Sequence, residues 1–339
     1  MGDATDQPAA PTAADRHGRA RLGPVLDRAA WLILPAVLAA LSLTVPGYAE
    51  TGTLAAILEH ASVVGLLAIG LSLVVIAGQI DLSIESVLGL SAMTTALLFG
   101  GGGVGLGWTL DPPWLVLPVT LAGAVGLGCA AGLVNAALVV RLRLNAFIAT
   151  LAAYGVLRGA VVATSGGHMA TGLPPELHAV VTVTLLGVPG PAWILVAAFL
   201  AFGAILARTP FGRQLYAIGG NPKAPIRAAI DAGRTLTVAF VLSGGLAALA
   251  GWLLAARFSG ATANLGIGLL FETFAAVVIG GVSLKGGTGR LSDVLAGALL
   301  LSAIAVLGLP APYALAVQCA LVLTAVLLDR LKTSIRRGF

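Results

Sequence analysis

Residues 65–90 read G-L-L-A-I-G-L-S-L-V-V-I-A-G-Q-I-D-L-S-I-E-S-V-L-G-L, and their only charges are Asp81 and Glu85. The apolar run that ends at Gly78 is long enough to cross the hydrocarbon layer of about 30 Å, and a second begins at Ser83. A short polar break, Gly78-Gln79-Ile80-Asp81-Leu82-Ser83, separates them. Two membrane spans joined by a tight turn are the reading that fits.

The same alternation runs the length of the chain. Spans are expected near 31–47, 61–78, 83–99, 114–139, 146–163, 190–207, 235–256, 270–282, 291–309 and 313–329. The fold class is therefore an all-α polytopic membrane protein of about ten helices. Composition agrees: of 339 residues 58% are hydrophobic and 10% charged, too little polar surface for a water-soluble domain. Forty-five glycines suit helices packed closely in lipid. Residues 1–30 lack periodicity and read as a disordered tail. A membrane domain follows over 31–330, with a long polar break at 208–234, and 331–339 form a short second tail. Arg16, Arg19, Arg21 and Arg28 before the run from Trp31 mimic a signal peptide. No clean small-x-small cleavage site follows, so an uncleaved first helix is expected.

Basic residues set the orientation. With ten spans and the N-terminus inside, 17 of the 19 Lys and Arg fall in cytoplasmic breaks or tails. Only Arg158 and Arg257 fall toward the other side. Both termini are thus expected in the cytoplasm. The short spans 83–99 and 270–282 suit re-entrant or tilted segments.

Several function classes find little support. Cys129 and Cys319 lie far apart in apolar runs and read as core residues. His17, His60, His168 and His178 lack metal-ligand spacing, and no H-E-x-x-H or Ser/His/Asp grouping occurs. An ion-coupled carrier needs ionisable groups within the membrane. Asp81, Glu85, Arg158 and Glu272 are the candidates, about as many as snorkelling at span ends would leave. The break from Arg208 to Arg234 is too polar for lipid and too short for a domain. Lys223 to Asp231 suits about two helical turns opened by Pro222. Such a helix is either a docking knob for a cytoplasmic partner or an ordinary connection.

Four segments carry a family resemblance. The stretch from Gly65 resembles permease subunits of the carbohydrate uptake transporter-2 class of ABC importers, which show G-G-I-D-L-S-V-G-S there. The loop T-P-F-G-R-Q-L-Y-A-I-G-G-N-P-K-A-P-I-R-A-A-I (209–230) is similar to their T-x-x-G-R-x-x-Y-A-I-G-G-N-P-x-A-A-x-x-A-G-I. A-A-V-V-I-G-G-V-S-L-K-G-G-T-G (275–289) looks like their A-A-V-V-L-G-G-T-S-L-x-G-G-x-G, and N-A-F-I-A-T-L-A-A-Y-G-V-L-R-G (145–159) matches a fourth segment. Together they cover about residues 60–330, in the family's order.

The resemblance implies a permease for a monosaccharide or related polyol in the bacterial inner membrane. Nucleosides and other small polar solutes remain alternatives, as does an ion-coupled carrier outside the family. Its implied partners are a cytoplasmic ATPase, an extracytoplasmic solute-binding protein and a second permease copy or related chain, with no nucleic acid. The sequence has no G-x-x-x-x-G-K-[ST] loop, since Leu331 stands where a glycine must precede Lys332. ATP and Mg are therefore expected on the partner, with no cofactor and no catalysis on this chain. The resemblance assigns coupling to Gly219, Gly220, Asn221, Pro222, Lys223, Ala224, Arg227, Ala228, Ala229, Ile230 and Asp231. Pro225 and Ala229 depart from the pattern, which leaves the local helix geometry open.

Substrate-path candidates are Asp81, Ser83, Glu85, Asn135, Tyr154, Arg158 and Gln318, the polar groups in or beside spans. For Asp81 and Ser83 the competing reading is a helix cap. For Glu85, where the family has a small residue, it is a first-turn carboxylate favoured by the helix dipole. Asn135, Tyr154, Arg158 and Gln318 either line a path or tie helix to helix.

Overall fold

The computed structural model describes residues 29–221 and 230–308, with scattered positions in 313–327. Among these residues the chain forms eleven α-helices: α1 (Ala29–Thr44), α2 (Thr51–Ile76), α3 (Ile84–Phe99), α4 (Val116–Ala136), α5 (Ala146–Ser165), α6 (Pro175–Thr182), α7 (Gly190–Arg208), α8 (Pro210–Gly220), α9 (Ala232–Phe258), α10 (Leu269–Ile279) and α11 (Leu291–Ala305). A π-turn, Ala137–Arg141, prolongs α4. Helices α2, α4 with its flanking turns, α5, α7 and α9 are long and apolar enough to cross a membrane, and α1, α3, α10 and α11 are shorter apolar helices.

Two helices form the axis of the bundle. α2 and α9 are 89% and 78% buried along their apolar stretches, against 22–28% for α4, α5 and α7. α9 packs on α2, α3 and α4, while α2 also takes α7, α10 and α11. The outer helices leave apolar faces such as Val156 and Leu200 uncovered, as lipid-facing or subunit-facing helices do.

Glycine makes the central crossings possible. A Cβ on Gly128 would stand 2.2 Å from Gly244 O, one on Gly244 2.2 Å from Gly128 O, and one on Gly132 2.2 Å from Phe240 O. α4 and α9 therefore meet backbone to backbone, a contact any side chain would prise apart.

The connections gather at two ends. Strands β1 (Gly102–Gly103), β2 (Ala170–Thr171) and β5 (Gly260–Ala261) pair antiparallel, joining the segments after α3, α5 and α9; β3 (Thr184–Leu185) and β4 (Val188–Pro189) form a hairpin. At the opposite end Gly78, Gly219, Gly286 and Gly287 meet. These are the loops expected to share a face on each side.

Two expectations change. α2 begins at Thr51, ten residues before the expected span. Glu59 and His60 interrupt the apolar run, but the fold pairs both with neighbouring helices, so the helix continues through them. Within the break 208–234, residues 210–220 form a helix capped by Thr209, whose hydroxyl accepts from Gly212 N–H. Arg158, read as falling toward the other side, turns its side chain into the bundle, where it is 14% exposed. The tails 1–28 and 331–339 and most of the span at 313–329 lie outside the described residues.

The crossing of α4 and α9 yields a paired expectation. Gly244→Leu must displace Gly128 and should remove the folded, monodisperse species from detergent extracts, overpacking of this kind costing about 1–3 kcal/mol or more. Gly126 has nothing within 4 Å of an added Cβ. Gly126→Leu should leave yield and unfolding midpoint unchanged, as read by fluorescence-detected size exclusion.

Candidate functional site

Among the described residues two buried carboxylates gather polar partners into hubs, Asp81 in the break between α2 and α3 and Glu85 just after it. Asp81 is 1% exposed. Its Oδ1 accepts the Ser83 N–H (3.0 Å) and hydroxyl (2.7 Å), and its Oδ2 accepts the Ser243 hydroxyl from α9 (2.9 Å). Ser83 Oγ accepts in turn from Asn135 Nδ2 of α4 (2.7 Å), and Thr150 Oγ1 of α5 accepts the Leu82 N–H (3.0 Å). The turn is thus fixed to three helices. Ser83 precedes α3 but makes no side-chain cap to it.

Glu85, 2% exposed in the first turn of α3, forms the second hub. Its Oε1 accepts Arg158 Nη2 (3.1 Å) and the Tyr154 hydroxyl (3.0 Å), both from α5. Its Oε2 accepts the N–H groups of Gly268 and Leu270, each at 3.0 Å. Those amides belong to the N-terminus of α10, whose own N-cap, Gly268, has no side chain to offer. Glu85 caps α10 from across the bundle, bringing negative charge to unpaired amides and the positive end of the helix dipole. Arg158 completes the arrangement: Nη1 donates to the carbonyls of Ala263 (3.0 Å) and Leu265 (3.2 Å) in the segment before α10. Gly89 gives it room, since a Cβ there would lie 2.9 Å from Nη1.

The depth of this hub explains its chemistry. Arg158 is twelve residues into α5, so it stands about 18 Å along that helix. Irregular backbone at such depth persists only where protein groups satisfy it. Glu85 and Arg158 do this for 263–270, one through N–H groups and the other through carbonyls. Snorkelling was expected for Asp81, Glu85, Arg158 and Glu272; the three carboxylates are instead buried at 1–3% exposure, and Arg158 lies with them.

A third polar group joins α2 to its neighbours. Arg257 pairs with Glu59 at 3.1 Å. His60 Nδ1 meets Ser302 Oγ at 3.2 Å and stands 3.5 Å from Glu272 Oε1, within ion-pair range but without hydrogen-bond geometry. Sequence reasoning missed Glu59, Arg257, Ser243, Thr150 and Ser302, whose partners lie 68 to 242 residues away. The charge of Glu59 and Arg257 within an apolar context was the one available signal.

Asn135 also lines a cavity of about 220 Å³ between α4 and α5, with apolar walls including Val134, Val156 and Leu157. Its Oδ1 is buried without a hydrogen-bond partner among the described residues. Tyr154 is half-buried, with Arg158 6.0 Å over its ring.

The coupling candidates fall in two groups. Gly219 and Gly220 end α8 and press on other backbone: a Cβ on Gly219 would lie 1.9 Å from Ile76 O, and one on Gly287 2.4 Å from Gly220 Cα. Gly287 N–H donates to Ile76 O (2.8 Å), and the Tyr216 hydroxyl donates to Gly289 O (2.8 Å). Burial pushes the Tyr216 phenol up, and Arg290 opposes that rise. Asp231 caps α9 through Arg234 N–H, Ile230 precedes it, and Asn221 follows α8. Pro222, Lys223, Ala224, Arg227, Ala228, Ala229 and Gln318 lie outside the described residues.

Comparison with known proteins places this architecture. Residues 53–328 match the family described as branched-chain amino acid transport system, permease component. The chain belongs to this family. Within it, the permease is of the carbohydrate uptake transporter-2 type. It is 36% identical to the ribose import permease protein RbsC of Escherichia coli K12 over 311 residues, 89% of this chain and 92% of that one. It is 32% identical to the L-arabinose ABC transporter permease protein AraH of Azospirillum brasilense, covering 97% and 95% of the two chains. The autoinducer 2 import system permease protein LsrC of Klebsiella pneumoniae is 37% identical over 76% and 72%. No solved structure matches the chain.

The Asp81 hub is open to a direct test. Ser243→Ala removes a donor from a buried carboxylate and should cost about 1–3 kcal/mol. Equilibrium unfolding in mixed micelles should show the loss. Thr164→Ala, whose hydroxyl bonds its own helix on an exposed face, should not.

Proposed function

We propose that this permease forms the translocation path of an ATP-driven importer for a monosaccharide or related polyol. The relatives named for ribose and L-arabinose support the substrate class, and the one named for autoinducer 2 keeps other small polar solutes as a second reading. ATP and Mg act on a separate cytoplasmic ATPase, and an extracytoplasmic binding protein delivers the solute. A second copy of the chain, or a related permease, completes the path.

One observation carries the coupling part of this reading. α8 lies between two long apolar helices and ends against Ile76, Gly286 and Gly287. An ATPase seated on residues 219–231 would therefore move three elements at once: α8, the end of α2 and the α10–α11 connection. In this reading the end holding those residues is cytoplasmic, as the distribution of Lys and Arg supports. Asp81, Ser83, Glu85 and Arg158 hold the shape of the path, while Tyr154 and the free carbonyl of Asn135 meet the solute. The cycle is a population shift between two packings of these elements.

Orientation and coupling are tested separately. In a background lacking Cys129 and Cys319, a cysteine at Thr182 should react with a membrane-impermeant reagent in intact cells. One at Lys285 should react only after permeabilisation; the reverse pattern refutes the orientation. For coupling, proteoliposomes carrying permease and ATPase should accumulate ribose or arabinose only with ATP. Gly219→Ala forces α8 off Ile76 and should lower uptake at least tenfold while ATP hydrolysis continues. Gly220→Ala meets only Gly287 Cα at 3.7 Å and should transport normally. Uptake driven by an ion gradient without ATP would refute the proposal.

A further inference from the structure

A groove of about 720 Å³ opens between α7, α8 and the start of α11. Its walls are apolar, with Phe199, Gly203 and Leu295 among them, and Tyr216 closes one side. Arg208, in the last turn of α7, and Arg290, the N-cap residue of α11, stand at one end. Both are exposed, and neither has an ion pair or side-chain hydrogen bond among the described residues. The acidic residue nearby in sequence, Asp293, is buried and accepts the Ser292 hydroxyl at 3.3 Å.

The position matters as much as the charge. Arg208 and Arg290 flank the ends of apolar spans, so they lie at the level of lipid headgroups, with the apolar walls running into the hydrocarbon layer. From Phe199 to Arg208 the groove follows α7 for about 13 Å, the depth an acyl chain occupies beneath its headgroup. Guanidinium groups pair with phosphate through parallel N–H bonds, and basic pockets between membrane helices take anionic lipid heads. Two cations with no ion pair among the described residues, above an apolar trough, are complementary to one phosphate ester carrying acyl chains. A zwitterionic head would bring its own cation against them.

We propose that this groove is a binding site for an anionic phospholipid, its phosphate held between Arg208 and Arg290 and an acyl chain laid along α7 past Gly203. The site rests only on membrane embedding and not on the transport reading. Bound lipid would brace α8, because Tyr216 is both a wall of the groove and the donor to Gly289.

Native mass spectrometry of the full-length chain in non-ionic detergent tests this, with phosphatidylglycerol and phosphatidylcholine as probes. The wild type should retain phosphatidylglycerol in preference to phosphatidylcholine. Arg208→Gln/Arg290→Gln should weaken that retention roughly thirtyfold, at about tenfold per 1.4 kcal/mol and about 1 kcal/mol per cation. Gly203→Leu fills the trough without touching either arginine. An added Cβ at Gly203 meets nothing within 4 Å, so this variant should fold and still lose the lipid. Arg141→Gln/Arg143→Gln, which removes two cations elsewhere, should retain it. The proposal fails if phosphatidylcholine is held equally, if either groove variant keeps phosphatidylglycerol, or if the Arg141/Arg143 variant loses it as completely. It also fails if water-soluble glycerol 3-phosphate displaces the lipid at equal concentration, since the site would then recognise a free anion.

Discussion

The carboxylate of Glu85 accepts from one guanidinium, one phenol and two backbone amides, and the rest of the interior is arranged around that set. Removing one partner of a buried pair costs about 3–5 kcal/mol, because the remaining charge is stranded. Here the pair also satisfies irregular backbone that lipid cannot hydrate. α10 is only 11 residues long, about 16 Å, too short to cross the hydrocarbon layer by itself. Without Glu85 its first amides would face a medium with nothing to offer them. The hub thus satisfies the start of a short helix whose own N-cap, Gly268, has no side chain to do so.

Around this fixed point the glycines supply close approach. Where α4 crosses α9, contact between backbones locks two spans into one unit. At the opposite end of the same logic, Gly78, Gly219, Gly286 and Gly287 bring three connections together with almost no side chain between them. Such a junction transmits displacement with little loss, since packed backbone has few rotamers to absorb it. The permease therefore has a rigid interior and a compact junction of three connections at one end.

Much of this was legible in the sequence. Apolar run length located the spans, and basic residues sorted the connections into two groups that the fold then brings together. Family motifs drew attention to the segments that meet at the glycine junction. What stayed hidden depends on distant partners. Nothing near Glu85 signals that Arg158, 73 residues on, turns inward to meet it, so a first-turn carboxylate and a sugar ligand looked like the choices. Glu59 and His60 read as the edge of a span because their partners, Arg257 and Ser302, are supplied by other helices. The helix at 210–220 was obscured by its glycines and by its position next to the segment assigned to coupling.

Glu85 and Arg158 act as one structural unit. A double-mutant cycle measures this most directly, using equilibrium unfolding of the purified full-length chain in mixed micelles for Glu85→Gln, Arg158→Gln and the double variant. Each single change should cost about 3–5 kcal/mol, and the double change should cost less than their sum by about 2 kcal/mol or more. Additivity to within about 0.5 kcal/mol would show that the two side chains act independently, and would contradict the account.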